Sequence, residues 1–104
     1  MESQEILAKA QAALRAAFPS RLRQVILYGS TARNQASADS DIDLLVLLQG
    51  PIDLGEDLRT CIHALYPLVL ETARPIDVLP VDEQQYRAQE FSLYRTAAAE
   101  GVSA

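Results

Sequence analysis

The sequence has little cysteine, no tryptophan and no long apolar run. Of its 104 residues, one is cysteine and none is tryptophan. Because Cys61 has no second cysteine to pair with, an internal disulfide and a disulfide-based secreted module are excluded. The longest apolar run, residues 44–48, is far shorter than the roughly 20 residues of a membrane-spanning helix. We therefore expect a chain without a membrane partner that folds around a hydrophobic core.

The N-terminal segment also lacks the apolar stretch of a secretion signal. It begins Met1-Glu2-Ser3 and is acidic, whereas a signal peptide starts with basic residues and an apolar core. A length of 104 residues suits one compact domain, and a hydrophobic content of 49% can supply its core. We expect a single domain over residues 1–104 that is located in the cytoplasm.

Basic residues are in the minority, and they are unevenly distributed. The net charge is −5: residues 1–38 carry five basic and two acidic residues, whereas residues 39–104 carry four basic and twelve acidic ones. A protein that binds nucleic acid by neutralising phosphates usually has the opposite sign. Direct nucleic-acid binding is therefore not expected. The acidic surplus indicates either a solubilising surface or a site for cations.

Hydrophobic periodicity predicts helices that alternate with short strands. The predicted strands are residues 25–28, 42–48 and 76–79. Helices are predicted after the capping residues Ser3 and Asp53, and two more over residues 82–89 and 92–100. Pro67 should either kink the second helix or divide it. This order predicts the α/β (α+β) class, with a small mixed β-sheet of about three strands and flanking helices.

Two aspartates at the start of the strongest strand are the first candidate site residues. Because side chains alternate along a strand, Asp41 and Asp43 share one face about 6.6 Å apart, while Ile42 and Leu44 face a core. Paired carboxylates on a rigid strand can bridge two divalent ions, as in phosphoryl transfer. Hard oxygen ligands without a thiol or clustered imidazole favour Mg²⁺ or Mn²⁺.

A glycine–serine turn follows the first predicted strand. Gly29 permits close approach of the backbone to a ligand, and Ser30 offers a hydroxyl and an N–H where a helical turn can begin. Arg33 lies one turn further and can either bind the same anion or pair with Asp39 or Asp41. The segment therefore predicts a phosphate-binding turn.

A third aspartate lies in the last predicted strand. Ile76 and Val78 face one way and Asp77 the other, which repeats the pattern of the second strand. If the two strands are neighbours, Asp77 joins the two aspartates. It can then bind a metal or accept the proton of an attacking hydroxyl.

The run from Gly29 to Asp43 fits G-S-x10-D-x-D. With Tyr28 before it and Leu44 after it, this run resembles the minimal nucleotidyltransferase (MNT) branch of the polymerase-β-like nucleotidyltransferase superfamily. The resemblance implies that fold and Mg²⁺-dependent transfer of a nucleoside monophosphate, most often AMP from ATP. It implies that Gly29 and Ser30 contact the triphosphate, that Asp41 and Asp43 bind metals, and that Asp77 is the third carboxylate. With Arg33, placed by its position one turn further, the predicted nucleotide-binding residues are Gly29, Ser30 and Arg33, and the predicted catalytic and metal-binding residues are Asp41, Asp43 and Asp77.

The resemblance also implies a partner. In the MNT antitoxin type, the small enzyme neutralises a HEPN-domain RNase toxin by attaching AMP to a tyrosine of the toxin. Two alternatives stay open on the sequence: a small-molecule nucleotidyltransferase like the aminoglycoside-modifying relatives, and an antitoxin or adaptor that acts by binding alone.

Overall fold

The computed structural model describes residues 2–29, 41–88, 95, 97–99 and 101–103. Three helices and four strands are defined within them. The helices are α1 (Ser3–Ala17), α2 (Leu54–Thr72) and α3 (Glu83–Arg87); the strands are β1 (Leu22–Tyr28), β2 (Ile42–Leu48), β3 (Ile76–Asp82) and β4 (Val102–Ser103).

The strands form one mixed sheet in the order β3-β2-β1-β4. Strand β1 is antiparallel to both β2 and β4, whereas β2 and β3 are parallel and joined through α2. The predicted class, a small mixed sheet with flanking helices, is confirmed. The two-residue β4 beside β1 is an addition that the sequence pattern does not predict.

The two faces of the sheet have different coverings. On one face, alternate residues such as Leu44 and Val46 pack with α1 and α2 in the larger core cluster. The opposite face carries Leu45, Leu47 and Val81, which pack against Tyr86 of α3 and Ala97. The alternation predicted for β2 is thus confirmed, and it places the side chain of Asp43 on the face away from α1 and α2.

Helix boundaries depend on capping. Asp53 caps α2 as predicted, because its carboxylate accepts a hydrogen bond of 3.2 Å from the Glu56 amide. The prediction that Ser3 caps α1 is wrong: Ser3 is already helical, and Glu2 is the N-cap residue.

Helix α2 passes through Pro67 without a break. Proline has no N–H, so the carbonyl of His63, four residues earlier, has no donor within the helix. Both residues are exposed, and water can bond this carbonyl instead.

Strand boundaries differ from the prediction at two places. Strand β1 begins at Leu22, earlier than predicted, and β3 extends beyond Pro80 to Asp82. Strand β3 ends the described strand order, and an edge position tolerates the missing N–H of proline. No helix within the described residues is long and apolar enough to cross a membrane.

Arg21 connects three parts of the fold. Its Nη1 and Nη2 donate hydrogen bonds of 2.8 and 3.0 Å to the carboxylate of Asp57, which is buried at 4% exposure near the start of α2. Nε and Nη2 also donate to the carbonyls of Gln49 and Pro51. The guanidinium lies 5.8 Å from the ring centre of Phe18. Arg21 therefore fixes the connection between β2 and α2 to the start of β1.

Candidate active site

Three polar side chains form a row on the face of the sheet opposite to α1 and α2. Tyr28 at the end of β1 is the register partner of Asp43 on β2, and Asp43 is the register partner of Asp77 on β3. Register partners point to the same face of a sheet, with neighbouring strands about 4.8 Å apart. Asp77 was predicted to join the other two aspartates if its strand lies beside β2, and β3 is indeed the neighbour of β2. Two of the predicted site carboxylates thus lie side by side.

Gly29 lies directly against this row. Its φ is +75°, a conformation that side chains with a Cβ rarely adopt. A Cβ built on Gly29 would lie 2.6 Å from Oδ2 of Asp43, which is too close for non-bonded atoms. Glycine is therefore required here for two separate reasons: the turn of the backbone and the space for the carboxylate.

Charge accumulates in the row. Burial first, and then the negative charges of Asp77 and Asp41, raise the pKa of Asp43. Loss of hydration, a hydrogen bond with Asp41 and the charge of Asp41 raise the pKa of Asp77. Asp41 thus lies close enough to act on both Asp43 and Asp77. The three predicted aspartates therefore form one interacting group.

Tyr28 also belongs to the row, although the sequence pattern assigns no role to this residue. It is half-buried, and burial, followed by the charges of Asp43 and Asp77, raises the pKa of its phenol. The neutral phenol is therefore the stable form beside the carboxylates. The signal available in the sequence is its position directly before Gly29, at the end of a strand.

The remaining predicted site residues are only partly accounted for. Ser30 and Arg33 lie outside the described residues, so their predicted contacts with a nucleotide stay predictions. Asp41 precedes β2 and is exposed, so it is placed at the edge of the sheet and not within a strand. The structure thus brings together Gly29, Asp41, Asp43 and Asp77.

The donor atoms of the group are suited to a divalent cation. Carboxylate oxygens are hard ligands that suit Mg²⁺ and Mn²⁺, and a cation would reverse the upward pKa shifts of Asp43 and Asp77. Across residues 2–29, 41–88 and the described C-terminal positions, no three acid, imidazole or thiol groups are arranged to hold a metal ion. The donor chemistry fits, and the side chains would have to converge further around a cation.

Comparisons with known proteins find relatives along most of the chain. A family model described as a nucleotidyltransferase domain matches residues 7–97. A protein of Methanocaldococcus jannaschii, named as a putative protein adenylyltransferase, is 28% identical over 89 residues. This match covers 86% of the present chain and 84% of the relative.

Solved structures share the fold. One, described as a toxin–antitoxin with AMP-PNP, gives a TM-score of 0.68 at 21% identity and covers 92% of this chain and 69% of that chain. Another, described as a putative minimal nucleotidyltransferase, gives a TM-score of 0.63 at 24% identity and covers 98% of this chain and 95% of that chain. At these identities, the likeness shows that the arrangement of helices and strands is the same.

Proposed function

The chain belongs to the nucleotidyltransferase domain family, and from this premise we propose that it transfers AMP from ATP to a hydroxyl group of a protein, with Mg²⁺ as cofactor. The observation that carries the proposal is the register of Asp43 with Asp77 on neighbouring strands, with Asp41 close enough to raise the pKa of both. Burial and neighbouring carboxylates raise the pKa of Asp43 and Asp77, which lie on one sheet face and add nothing to the apolar core. Such an arrangement is typical of a functional site.

The proposed roles follow from position. Asp41, Asp43 and Asp77 would hold Mg²⁺, which supplies charge stabilisation to the triphosphate and the leaving group. Gly29 keeps the backbone close to Asp43, and Ser30 and Arg33, in the segment that follows, would bind the phosphates. The family resemblance supports these assignments, and each remains to be tested by substitution.

The proposed reaction is a single displacement at the α-phosphorus of ATP. The acceptor oxygen forms a bond to that phosphorus, the bond to the bridging oxygen of the β-phosphate breaks, and pyrophosphate leaves. The proton of the acceptor hydroxyl passes to a carboxylate, for which Asp77 is the candidate because it lies on the exposed side of the row. The products are an AMP ester of the acceptor, pyrophosphate and one proton.

We propose a tyrosine of a HEPN-domain RNase toxin as the acceptor, with this chain as its antitoxin. Two findings support this choice: the relative named as a putative protein adenylyltransferase, and the structural neighbour described as a toxin–antitoxin with AMP-PNP, a nonhydrolysable ATP analogue. The toxin would supply the acceptor pocket, since Asp43 and Asp77 lie on the face of the sheet opposite to α1 and α2, where Asp77 is exposed.

The test is a transfer reaction followed by intact-mass measurement. The chain is incubated with ATP, Mg²⁺ and the protein encoded next to its gene, and the mass of that protein is recorded. We expect the addition of one or more AMP units, abolished by Asp43→Asn and by Asp77→Asn. The matched control is Asp53→Asn, which changes an acid to an amide at a helix cap where asparagine serves equally well.

The outcomes separate the open alternatives. Inhibition of the partner that is unaffected by Asp43→Asn, with no change of mass, would show an antitoxin that acts by binding alone. Transfer to an aminoglycoside-like small molecule, with none to any protein, would show the small-molecule enzyme. Loss of transfer in Asp53→Asn as well would mean that the row is not specifically required.

A further inference from the structure

Tyr28 is the member of the row, alongside Asp43 and Asp77, that the proposed roles leave unused. It is the last residue of β1, and its register partner is Asp43 on β2. Gly29, with its φ of +75°, ends the extended backbone directly after it. Tyr28 therefore lies where the acidic residues meet the start of the predicted phosphate-binding turn.

Apolar packing holds the ring of Tyr28. The residue packs against the cluster that contains Ile26, Leu45 and Tyr86, and it stays half-buried. An aromatic ring has few rotatable bonds, so packing orders it at a small cost in conformational entropy. A phenylalanine ring would pack equally well, so the packing accounts for the ring and does not explain the hydroxyl.

The hydroxyl of Tyr28 brings a hydrogen-bond donor into a group of acceptors. A phenol is neutral at physiological pH, and here burial, followed by the charges of Asp43 and Asp77, raises its pKa further. Ionised carboxylates only accept hydrogen bonds, whereas a neutral phenol can donate one. Among the three side chains of the row, Tyr28 is therefore the one that can donate to an anion.

The proposed nucleotide is an anion that the acidic side chains cannot contact directly. Phosphate oxygens are acceptors, so Asp43 and Asp77 can hold them only through a cation placed between the two. A neutral donor at the same place contacts a phosphate oxygen without charge repulsion, and a hydrogen bond to a charged oxygen is stronger than one between neutral groups. The hydroxyl of Tyr28 is thus suited to the phosphate chain of the nucleotide.

We propose that the hydroxyl of Tyr28 donates a hydrogen bond to a phosphate oxygen of bound ATP, so that Tyr28 is a further nucleotide-binding residue. The inference rests on the proposed function, in which ATP binds at the row together with Mg²⁺. The hydroxyl keeps its proton, and no covalent bond of Tyr28 forms or breaks during the transfer. The alternatives that the experiment must exclude are a hydroxyl that only orients Asp43 and one that only binds water.

The test measures the dissociation constant of AMP-PNP for the full chain by calorimetry, without an acceptor and over a range of Mg²⁺ concentrations. We expect Tyr28→Phe to raise it at least about fivefold, also at saturating Mg²⁺, because a hydrogen bond to a charged group is lost. Tyr66→Phe removes a hydroxyl from an exposed site on α2, and Tyr86→Phe removes one from the cluster that packs against Tyr28. Both controls should bind AMP-PNP as the parent does, and circular dichroism establishes that each variant is folded.

The outcomes separate this inference from the proposed function. Parent-like binding by Tyr28→Phe, or an equal loss in Tyr86→Phe, would overturn the inference and leave AMP transfer by the parent standing. Recovery of the affinity of Tyr28→Phe at saturating Mg²⁺ would also overturn it, because the hydroxyl would then act on a metal ligand. Weaker binding by Tyr28→Phe alone, with no transfer from the parent to any acceptor, would support the contact and contradict the proposed function. A parent that does not bind AMP-PNP would overturn both.

Discussion

Asp43 and Asp77 are register partners on neighbouring parallel strands, and their carboxylates share the face of the sheet opposite to α1 and α2. Burial first, and then neighbouring carboxylates, raise the pKa of both: Asp77 and Asp41 act on Asp43, and Asp41 acts on Asp77. A fold selected for stability alone would not place two acids in this relationship. The pair is therefore a feature that costs stability and that function explains.

Replacing either acid of the pair should abolish transfer without weakening the fold. For an acid whose pKa is raised by folding, the favourable contribution exists below the unfolded pKa and is lost as pH rises through the folded value. At neutral pH both groups are therefore destabilising. We expect Asp43→Asn and Asp77→Asn to lower the transfer rate at least 100-fold, as a rough estimate, while the melting temperature stays equal or rises.

The control for this prediction is the pH dependence of the melting temperature. The advantage of Asp43→Asn over the parent chain should shrink as the pH falls through the raised pKa of folded Asp43, and it should be gone below about 4, where the unfolded chain is protonated as well. A variant that melts well below the parent at neutral pH would contradict the repulsion inferred for the pair.

Gly29→Ala should disturb the row from the backbone side. The left-handed φ of +75° and the short distance from a Cβ to Asp43 Oδ2 both oppose alanine. We expect a loss of about 1–3 kcal/mol in unfolding free energy and a loss of transfer activity. Urea unfolding measures the first and the intact-mass assay the second.

Gly55→Ala is the matched substitution. A Cβ there meets only Asp53 Oδ1 at 3.9 Å, and the position is in the first turn of α2. Because alanine is the better helix former, we expect this variant to be unchanged or more stable by up to about 1 kcal/mol. If Gly29→Ala and Gly55→Ala had the same unfolding free energy and the same transfer activity, the close approach of Gly29 to Asp43 would be unimportant.

Local pattern predicted the parts of the structure that depend on neighbours in sequence. Strand β2 has the predicted bounds, and Asp53 caps α2 as its spacing with Glu56 indicates. The position of Asp77 was predicted only on the condition that its strand lies beside β2. That condition depends on the parallel pairing of β2 with β3 across α2, which side-chain alternation does not encode.

Contacts between distant residues were not predictable in the same way. Arg21 and Asp57 are 36 positions apart, and no spacing rule relates them. The exposure of Leu54 and Ile62 on α2 is likewise not evident from helical spacing, which places both on one face with Leu65. Leu54 and Ile62 are more than half exposed, since α2 contacts the core along a narrower stripe centred on Cys61 and Leu65.

The pair of Arg21 and Asp57 should account for much of the stability around the start of α2. Asp57 is nearly fully buried and accepts hydrogen bonds from Arg21 and from the amide of Asp53. Asp57→Asn removes the charge attraction and presents an amide N–H₂ to the guanidinium. We expect a loss of roughly 2–4 kcal/mol in urea unfolding, whereas Glu56→Gln, at an exposed site, should change it by less than about 0.5 kcal/mol.

Because Asp57 is charged in this pair, the free energy of unfolding should depend on pH in the acidic range. The hydrogen bonds from Arg21, offset in part by burial, hold the pKa of Asp57 below its ordinary value. An acid with a lowered pKa stabilises the fold above the unfolded pKa, and the effect is lost as pH falls through the folded value. The stability difference between the parent and Asp57→Asn should therefore decrease below about pH 4. A difference that is constant with pH would contradict the charged pair.

Magnesium should control whether the nucleotide binds. At neutral pH the acidic group repels the negative triphosphate, so ATP without a divalent cation should leave the melting temperature almost unchanged. ATP with Mg²⁺ should raise it, because a ligand that binds only the folded state stabilises by mass action. Asp43→Asn should lose this increase, whereas Asp53→Asn should keep it. An equal increase with ATP in the presence of a chelator would show that the nucleotide binds independently of a cation.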